Sequence, residues 1–345
     1  MIAQAMGRLV VLAPAALAAF LLCYAAIVLL RPWLASHAVA RPNMRSSHFA
    51  PVPQGGGIGV VIAALAVTAG AILLARHLAR GQMEEFVFVS AAAILLMVVG
   101  AMDDMRALPA TARLLVQCAA IAAVVLALPE QVRVLPELPW WFDRTCLLIG
   151  GVWFVNLTNF MDGIDWMTVA EVVPVTGAMV LLGIAGTIDL VAAAAAAALF
   201  GAMLGFAPFN KPVARLFLGD SGSLPVGLIL AWLLMLLAGE GHRAAALILP
   251  LYYLADSTIT LLRRMAKREP FWQSHRTHYY QRATDNGFSV PEIVTRVFLL
   301  NLALAALALT AVATGGVLVP VLALGGAAAL VAMLLASFSH VKPKG

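Results

Sequence analysis

Two amides and two carboxylates recur at three-residue intervals in the stretch NLTNFMDGIDWM: Asn156, Asn159, Asp162 and Asp165. Side chains three apart share a helix face, so Asn156 and Asn159 point the same way. Gly163 loosens the helix and leaves Asp162 and Asp165 at its mouth. No Lys or Arg lies in the stretch to neutralise them. Carboxylates so placed ligate a metal or hold ribose hydroxyls, and amides read the edge of a base. The competing structural use is a polar turn, with Asp165 capping the next helix.

Asp103 and Asp104 end the apolar run FVFVSAAAILLMVVGAM. Adjacent carboxylates repel, and they persist at a membrane boundary when a cation or basic partner is present. Mg²⁺ suits them, because it takes hard oxygen ligands and keeps positions open for phosphate oxygens. The alternative is a solvated helix end helped by Arg106. In GDSGS, Ser223 is a good N-cap and Pro225 fits a first turn. A helix N-terminus there offers N–H groups to a phosphate, while Asp220 completes a metal site or serves as a cap.

His275, Arg276 and His278 supply donors for a phosphate, with Trp272, Tyr279 and Tyr280 beside them. That pattern suits an amphipathic helix lying on a membrane. Arg263, Arg264, Lys267 and Arg268 lie in the same segment, and the favoured reading of that basic cluster is an interfacial stop signal only. QGGG at 54–57 allows backbone amides to approach phosphate or gives a flexible start to the following span. His48 precedes it. Asp256 lies inside an apolar segment, a functional position by default, with pairing to a donor on a neighbouring helix as the alternative.

The elements that must hold these groups follow from composition. Of 345 residues, 63% are hydrophobic and 11% charged, with mean hydropathy +0.96. Repeated apolar runs of spanning length predict an all-α, polytopic integral membrane protein. Eleven spans are expected, near 9–30, 57–75, 86–102, 111–129, 146–161, 170–185, 188–206, 223–238, 243–262, 294–314 and 317–337. The first is too long for a signal-peptide core and is read as retained. The small side chains of Ala192–Ala198 permit close helix approach. Cys23, Cys118 and Cys146 suggest neither a disulfide framework nor a zinc site. No linker divides the chain, so 1–345 is expected to be a single domain.

With the N-terminus on one side, that side carries six Lys or Arg and the other sixteen of the 22. The positive-inside rule makes the richer side cytoplasmic, with the N-terminus outside and the C-terminus inside. All five polar stretches then face the cytoplasm. The net charge of +5 is spread over loops rather than drawn into one stripe, which argues against nucleic acid as a partner.

RSSHFAPVPQGGG, MDD, NLTNFMDGID, LGDSGSLPVG and HRTHYYQR, in this order, resemble the polyprenyl-phosphate N-acetylhexosamine-1-phosphate transferases of glycosyltransferase family 4. The resemblance covers about 45–285 and is closest to the O-antigen and exopolysaccharide initiators. It implies about ten or eleven helices in a bacterial inner membrane, a cytoplasmic active site, and Mg²⁺ as cofactor with Mn²⁺ as substitute. It implies attack of undecaprenyl phosphate on the β-phosphorus of a UDP-N-acetylhexosamine, releasing UMP, and the family often forms homodimers. It casts Asp103, Asp104 and Asp220 as catalytic, and Asp104, Asp220, Asn159 and Asp162 around the metal. Asn156, Asn159, Asp162 and Asp165 would meet the nucleotide, and His275, Arg276 and His278 the diphosphate, with His48 also at the substrate. This chain departs from the pattern at Trp166, where Gly is common, and at Gln54, where a basic residue is frequent. HRTHYYQR differs from the triple-His pattern of the phospho-N-acetylmuramoyl-pentapeptide translocases, which disfavours a peptidoglycan role. The rival expectation is a secondary transporter using Asp256 and the Asp/Asn cluster as an ion path. Its usual repeated halves and midplane site are not evident.

Overall fold

The computed structural model describes residues 2–40, 51–75, 83–269 and 276–342. His48 and His275 lie outside the described residues. Helices account for nearly all regular structure: α1 Ile2–His37, α2 Gly56–Leu74, α3 Met83–Met105, α4 Ala110–Ala127, α5 Trp140–Met161, α6 Met167–Ala185, α7 Leu190–Phe206, α8 Asp220–Gly239, α9 Arg243–Ile248, α10 Leu251–Ala266, α11 Tyr279–Asp285, α12 Val290–Ala313 and α13 Leu318–Ser339. Each of the eleven expected spans falls on a helix, and the ninth is broken at Pro250 into α9 and α10. Among the described residues, eight helices are long and apolar enough to cross a bilayer. The protein is an all-α, polytopic membrane protein.

The one sheet among the described residues is a two-residue pair, β1 Val39–Ala40 antiparallel to β2 Val52–Pro53. Its continuation bridges Gln54 to Phe217 in parallel. That small patch ties the segment before α2 to the segment before α8.

α8 lies at the centre. Every residue from Ser221 to Ala238 is buried, and the helix packs on α3, α5 and α2. A helix hydrophobic all round belongs inside a bundle. α7 is a second inner helix, with Ala192–Ala198 wholly buried and neighbours α1, α2 and α6. The small side chains do what their size allows: they let three helices crowd one.

QGGG and GDSGS meet backbone to backbone. The Gly56 and Gly57 N–H groups donate to the Phe217 and Leu218 carbonyls, each at 2.9 Å. These two amides are therefore spent on the chain itself, which accounts for the glycines without a phosphate. A Cβ built on Gly57 would stand 2.0 Å from the Gly222 Cα, while one on Gly70 meets nothing within 4 Å. Gly57→Ala should therefore lower the thermal midpoint of the detergent-purified protein by the equivalent of about 3 kcal/mol. Gly70→Ala on the same helix, where the added Cβ meets nothing, should not lower it.

Candidate active site

The N-terminus of α8 has no cap of its own. Gly219, at φ 76°, precedes it and brings no side chain. The cap comes from α3. Asp104 Oδ1 accepts from the Asp220 N–H at 2.9 Å, and Oδ2 accepts from the Ser221 N–H at 3.1 Å and the Ser221 hydroxyl at 2.7 Å. A carboxylate at a helix N-terminus satisfies unpaired donors and opposes the dipole. Here it comes from 116 residues away. Gln54 Nε2 donates to the Asp104 carbonyl oxygen at 2.5 Å, fixing the end of α3 from the α2 side.

This corrects the expected start of α8. Ser223 is not its N-cap, since the helix begins at Asp220, three residues earlier. The Ser223 hydroxyl accepts from Asn159 Nδ2 at 2.9 Å, and the same amide donates to Asp220 Oδ1 at 2.8 Å. Asp220 Oδ2 accepts from Arg113 Nη1 at 2.9 Å, and that nitrogen also donates to Asp103 Oδ2 at 2.8 Å. Asp103 Oδ1 takes the Leu108 N–H at 2.6 Å. Four separated segments, ending α3, starting α4, ending α5 and starting α8, thus meet at one place.

Helix α5 stops at Met161, with Asp162 as its C-cap. Asp162 Oδ1 accepts from the Thr168 hydroxyl. Burial of the carboxyl pushes Asp162 up to about 8; the Thr168 bond works against this, and the charges of Asp220, Asp104 and Asp165 add to it. Asp165 is buried and accepts from the Ala214 N–H at 2.9 Å, so it anchors the α7–α8 loop. Trp166 holds the N-cap position of α6 at φ 62°, the left-handed region that suits glycine. Its N–H donates to Asn210 Oδ1 at 2.8 Å and its indole Nε1 to the Ala207 carbonyl at 2.7 Å.

Asn156 sits one turn deeper than Asn159 and donates to Gln117 Oε1 of α4 at 2.7 Å. It joins α5 to α4 and does not touch the carboxylates directly.

The His/Arg motif has a local capping box, with the His278 N–H donating to Gln281 Oε1 at 3.3 Å, and a distant carboxylate besides. Asp256 of α10 is fully buried; its Oδ1 accepts from the Tyr279 N–H at 3.0 Å and its Oδ2 from the Tyr280 N–H at 3.3 Å. Asp256 Oδ1 also lies 3.2 Å from His278 Nδ1, and the His278 ring is buried. The intramembrane carboxylate thus anchors α11 and orients His278. Arg276 reaches Thr284 Oγ1 at 3.0 Å and Asp285 at 3.5 Å. Tyr280 connects this motif to the Asn/Asp stretch: its hydroxyl donates to the Phe160 carbonyl at 2.9 Å, and a Cβ on Gly163 would stand 2.0 Å from the Tyr280 hydroxyl oxygen.

The sequence reading missed Arg113, counted only among loop charges. Its signal was present: it is the single basic residue of α4, ten positions after Asp103. Ser221 and Thr168 carried no pattern of their own. Asp103, Asp104, Asp162 and Asp220 bring four formal negative charges against one guanidinium. Among the described residues no three His, Cys, Asp or Glu side chains are disposed to hold an ion together, and Arg113 bridges Asp103 and Asp220. The donor set is nonetheless all hard oxygen with an excess of negative charge, which fits Mg²⁺.

The fold and this cluster define a polytopic membrane protein with an acidic, phosphate-compatible centre at one end of its bundle. Residues 86–238 match the family model described as glycosyl transferase family 4, a segment running from α3 through α8. A Bacillus subtilis (strain 168) protein named probable undecaprenyl-phosphate N-acetylglucosaminyl 1-phosphate transferase is 25% identical over 277 residues, 76% of this chain and 74% of its own. The decaprenyl-phosphate N-acetylglucosaminephosphotransferase of Mycobacterium tuberculosis (strain ATCC 25618 / H37Rv) is 27% identical over 302 residues, 76% of this chain and 72% of its own. A phospho-N-acetylmuramoyl-pentapeptide-transferase of Heliobacterium modesticaldum (strain ATCC 51547 / Ice1) is 39% identical over 107 residues, 29% of this chain and 32% of its own. Residues 86–238 are thus similar to glycosyl transferase family 4, and the relatives that align over most of this chain are named as polyprenyl-phosphate sugar-phosphate transferases.

Replacing Asp256 by Ala should release α11. Loss of the cap and of the His278 partner should weaken that helix by about 1–2 kcal/mol. Hydrogen exchange checks this: amides 279–285 should exchange faster, while those of the α8 interior stay protected.

Proposed function

We propose that this protein transfers an N-acetylhexosamine-1-phosphate from a UDP-sugar to undecaprenyl phosphate at the cytoplasmic face of a bacterial inner membrane. The product, a lipid-diphosphate sugar, starts a cell-surface polysaccharide. The carrying observation is the convergence of Asp103, Asp104, Asn159, Asp162 and Asp220 with Arg113 at one end of an apolar bundle. The excess of Lys and Arg in the loops on that side supports a cytoplasmic orientation.

In the reaction a lipid-phosphate oxygen attacks the β-phosphorus of the UDP-sugar. The bond from that phosphorus to the bridging oxygen breaks, and UMP leaves with the electron pair. A literal general base is unnecessary, since a phosphate monoester with second pKa near ~6 is already largely ionised at neutral pH. Phosphoryl transfer then needs positioning and charge neutralisation. Asp104, Asp162, Asp220 and Asn159 are the side chains to hold Mg²⁺, which when bound offsets the negative charge of the diphosphate. Asp104 keeps Asp220 in register through the α8 N-terminus. Asn159 orients the Asp220 carboxylate from the other side. Arg113 supplies a fixed positive charge, and His278, held by Asp256, is a donor for the diphosphate alongside Arg276.

The two N-acetylglucosamine-phosphate transferases above align over three-quarters of this chain, which favours UDP-N-acetylglucosamine as first donor to test. Membranes supplied with undecaprenyl phosphate, Mg²⁺ and a panel of UDP-N-acetylhexosamines should release UMP and yield one lipid-linked species by mass spectrometry. No turnover with any member of the panel would refute the reading. Asp220→Asn should lower UMP release at least 100-fold, of the order seen when one preorganised charge-stabilising group is lost.

The raised Asp162 gives a second test. The metal-free folded protein holds a proton there up to about pH 8, whereas an unfolded Asp releases it near ~4. Stability of the metal-free protein should therefore fall as pH rises through that window. Cation binding must expel the proton, so Mg²⁺ affinity measured by calorimetry should rise up to about tenfold per unit below pH 8 and level off above it.

A further inference from the structure

Behind Asp162 lies a second polar group that the transfer chemistry does not use. Glu171 of α6 is 0% exposed and Asn301 of α12 is 1% exposed. Asn301 Nδ2 donates to Glu171 Oε2 at 2.7 Å and to the Ala170 carbonyl at 2.9 Å, so both amide hydrogens are used. Two acceptors are left over. Glu171 Oε1 and Asn301 Oδ1 are both buried and have no hydrogen-bond partner among the described residues.

A buried ionised carboxylate needs a cation or several donors. Glu171 has neither. The helices packed on α6 are α12, α7, α1 and α5. On α12, Arg296 is engaged with Ser337 and Glu292 with Lys342. α7 carries no titratable side chain, and Arg8 of α1 binds the Gly183 and Ile188 carbonyls at the far end of α6. On α5, Asp143 and Arg144 lie in the first turns and bond the α4–α5 loop. Tyr253 of α10, whose hydroxyl lies 3.5 Å from Thr168 on the same face of α6, brings no positive charge.

We propose that Glu171 is an un-ionised carboxylic acid whose Oε1–H donates to Asn301 Oδ1, closing a two-bond acid–amide pair between α6 and α12. One proton, taken up from water as the bundle assembles, removes both orphan acceptors at once. The pair makes Glu171 a positioning residue for the candidate site. It pins the first turn of α6, and Thr168, one turn away on the same face, donates to Asp162 and lies 3.5 Å from the Tyr253 hydroxyl. A shift of that turn moves the Asp162 carboxyl.

The test is infrared spectroscopy of the purified full-length protein with its glutamate carboxyls isotope-labelled, at pH 7. Glu85, another buried glutamate, meets the Trp232 indole, so the spectra are taken in a Glu85→Gln background. The proposal expects a labelled carbonyl band of an un-ionised acid that disappears in Glu171→Gln; finding only carboxylate bands overturns it. Gln supplies the same donor and acceptor pair, so Glu171→Gln should keep the thermal midpoint, whereas Glu171→Ala should lower it. Equal losses in the two variants, or a Gln variant that does not fold, also count against the acid. A third arm rests on the transferase reading: Glu171→Gln should retain at least half the rate of UMP release and Glu171→Ala less than a tenth. The spectroscopic and thermal arms need no substrate, so they decide the protonation state even if the transferase reading fails.

Discussion

The Asp104 carboxylate at the head of α8 is the constraint on which the site depends. A helix that starts inside a bundle leaves N–H groups unsatisfied, and in apolar surroundings each carries a penalty of a few kcal/mol. The ordinary remedy is a Ser, Thr or Asp at the N-cap. Here Gly219 occupies that position, and a side chain on it would collide with Asp104 itself, whose Oδ2 would be 2.4 Å from its Cβ. The missing cap and the borrowed one are therefore a single arrangement. α3 and α8 cannot separate without exposing both an anion and a helix terminus. Asp220, first residue of α8, is thereby fixed beside Asp104. Asp256 of α10 adds a distant carboxylate to α11, which also has its own His278–Gln281 capping box, so both polar motifs reach the site on helices fastened from elsewhere in the chain.

Such a cap has an electrostatic consequence. The notion of a helix N-terminus waiting for phosphate gives way to one already satisfied by a carboxylate. Negative charge then accumulates: Asp104 is committed to α8, Asp103 and Asp220 share one guanidinium nitrogen, and Asp162 stands close enough to feel both Asp104 and Asp220. A merely structural cluster would be balanced by its own cations. Arg113 supplies one positive charge to four carboxyls, and the proton held on Asp162 relieves part of the imbalance; the remainder is what the proposed divalent ion would offset.

How much of this was legible follows from the range of each interaction. The spans were readable because twenty apolar residues in a row leave the chain one solution in a bilayer. The break at Pro250 was not anticipated, since a proline within an apolar run can equally be absorbed. The clustering of Asp104, Asp220 and Asn159 could be suspected from chemistry, because all three sit at span ends on the same side. Their division of labour could not. Whether a carboxylate caps, ligates or pairs is decided by a partner more than a hundred residues away, as with Asp104 and Ser221, or Arg113 and Asp220. Asn156 shows the reverse error of pattern. It shares a face with Asn159, yet one turn along the helix replaces Asp220 by Gln117 as its neighbour.

Trp166 shows how the two halves of the site are built on one scaffold. A non-glycine residue in the left-handed region costs about 1–2 kcal/mol, and a large aromatic side chain is an unexpected choice for it. Two hydrogen bonds hold it, one from its backbone to Asn210 and one from its indole to the Ala207 carbonyl. Asp165, its neighbour, is bonded to the Ala214 N–H, and Asn210 in turn donates to the Leu216 carbonyl at 3.0 Å. All these partners belong to the loop between α7 and α8, the loop that delivers Asp220. The turn carrying Asp162 is thus fastened to the segment that places the other carboxylates. The strain at Trp166 is sustained by bonds that keep the two acidic segments from moving independently, and distance between carboxylates is what a shared cation would read most closely.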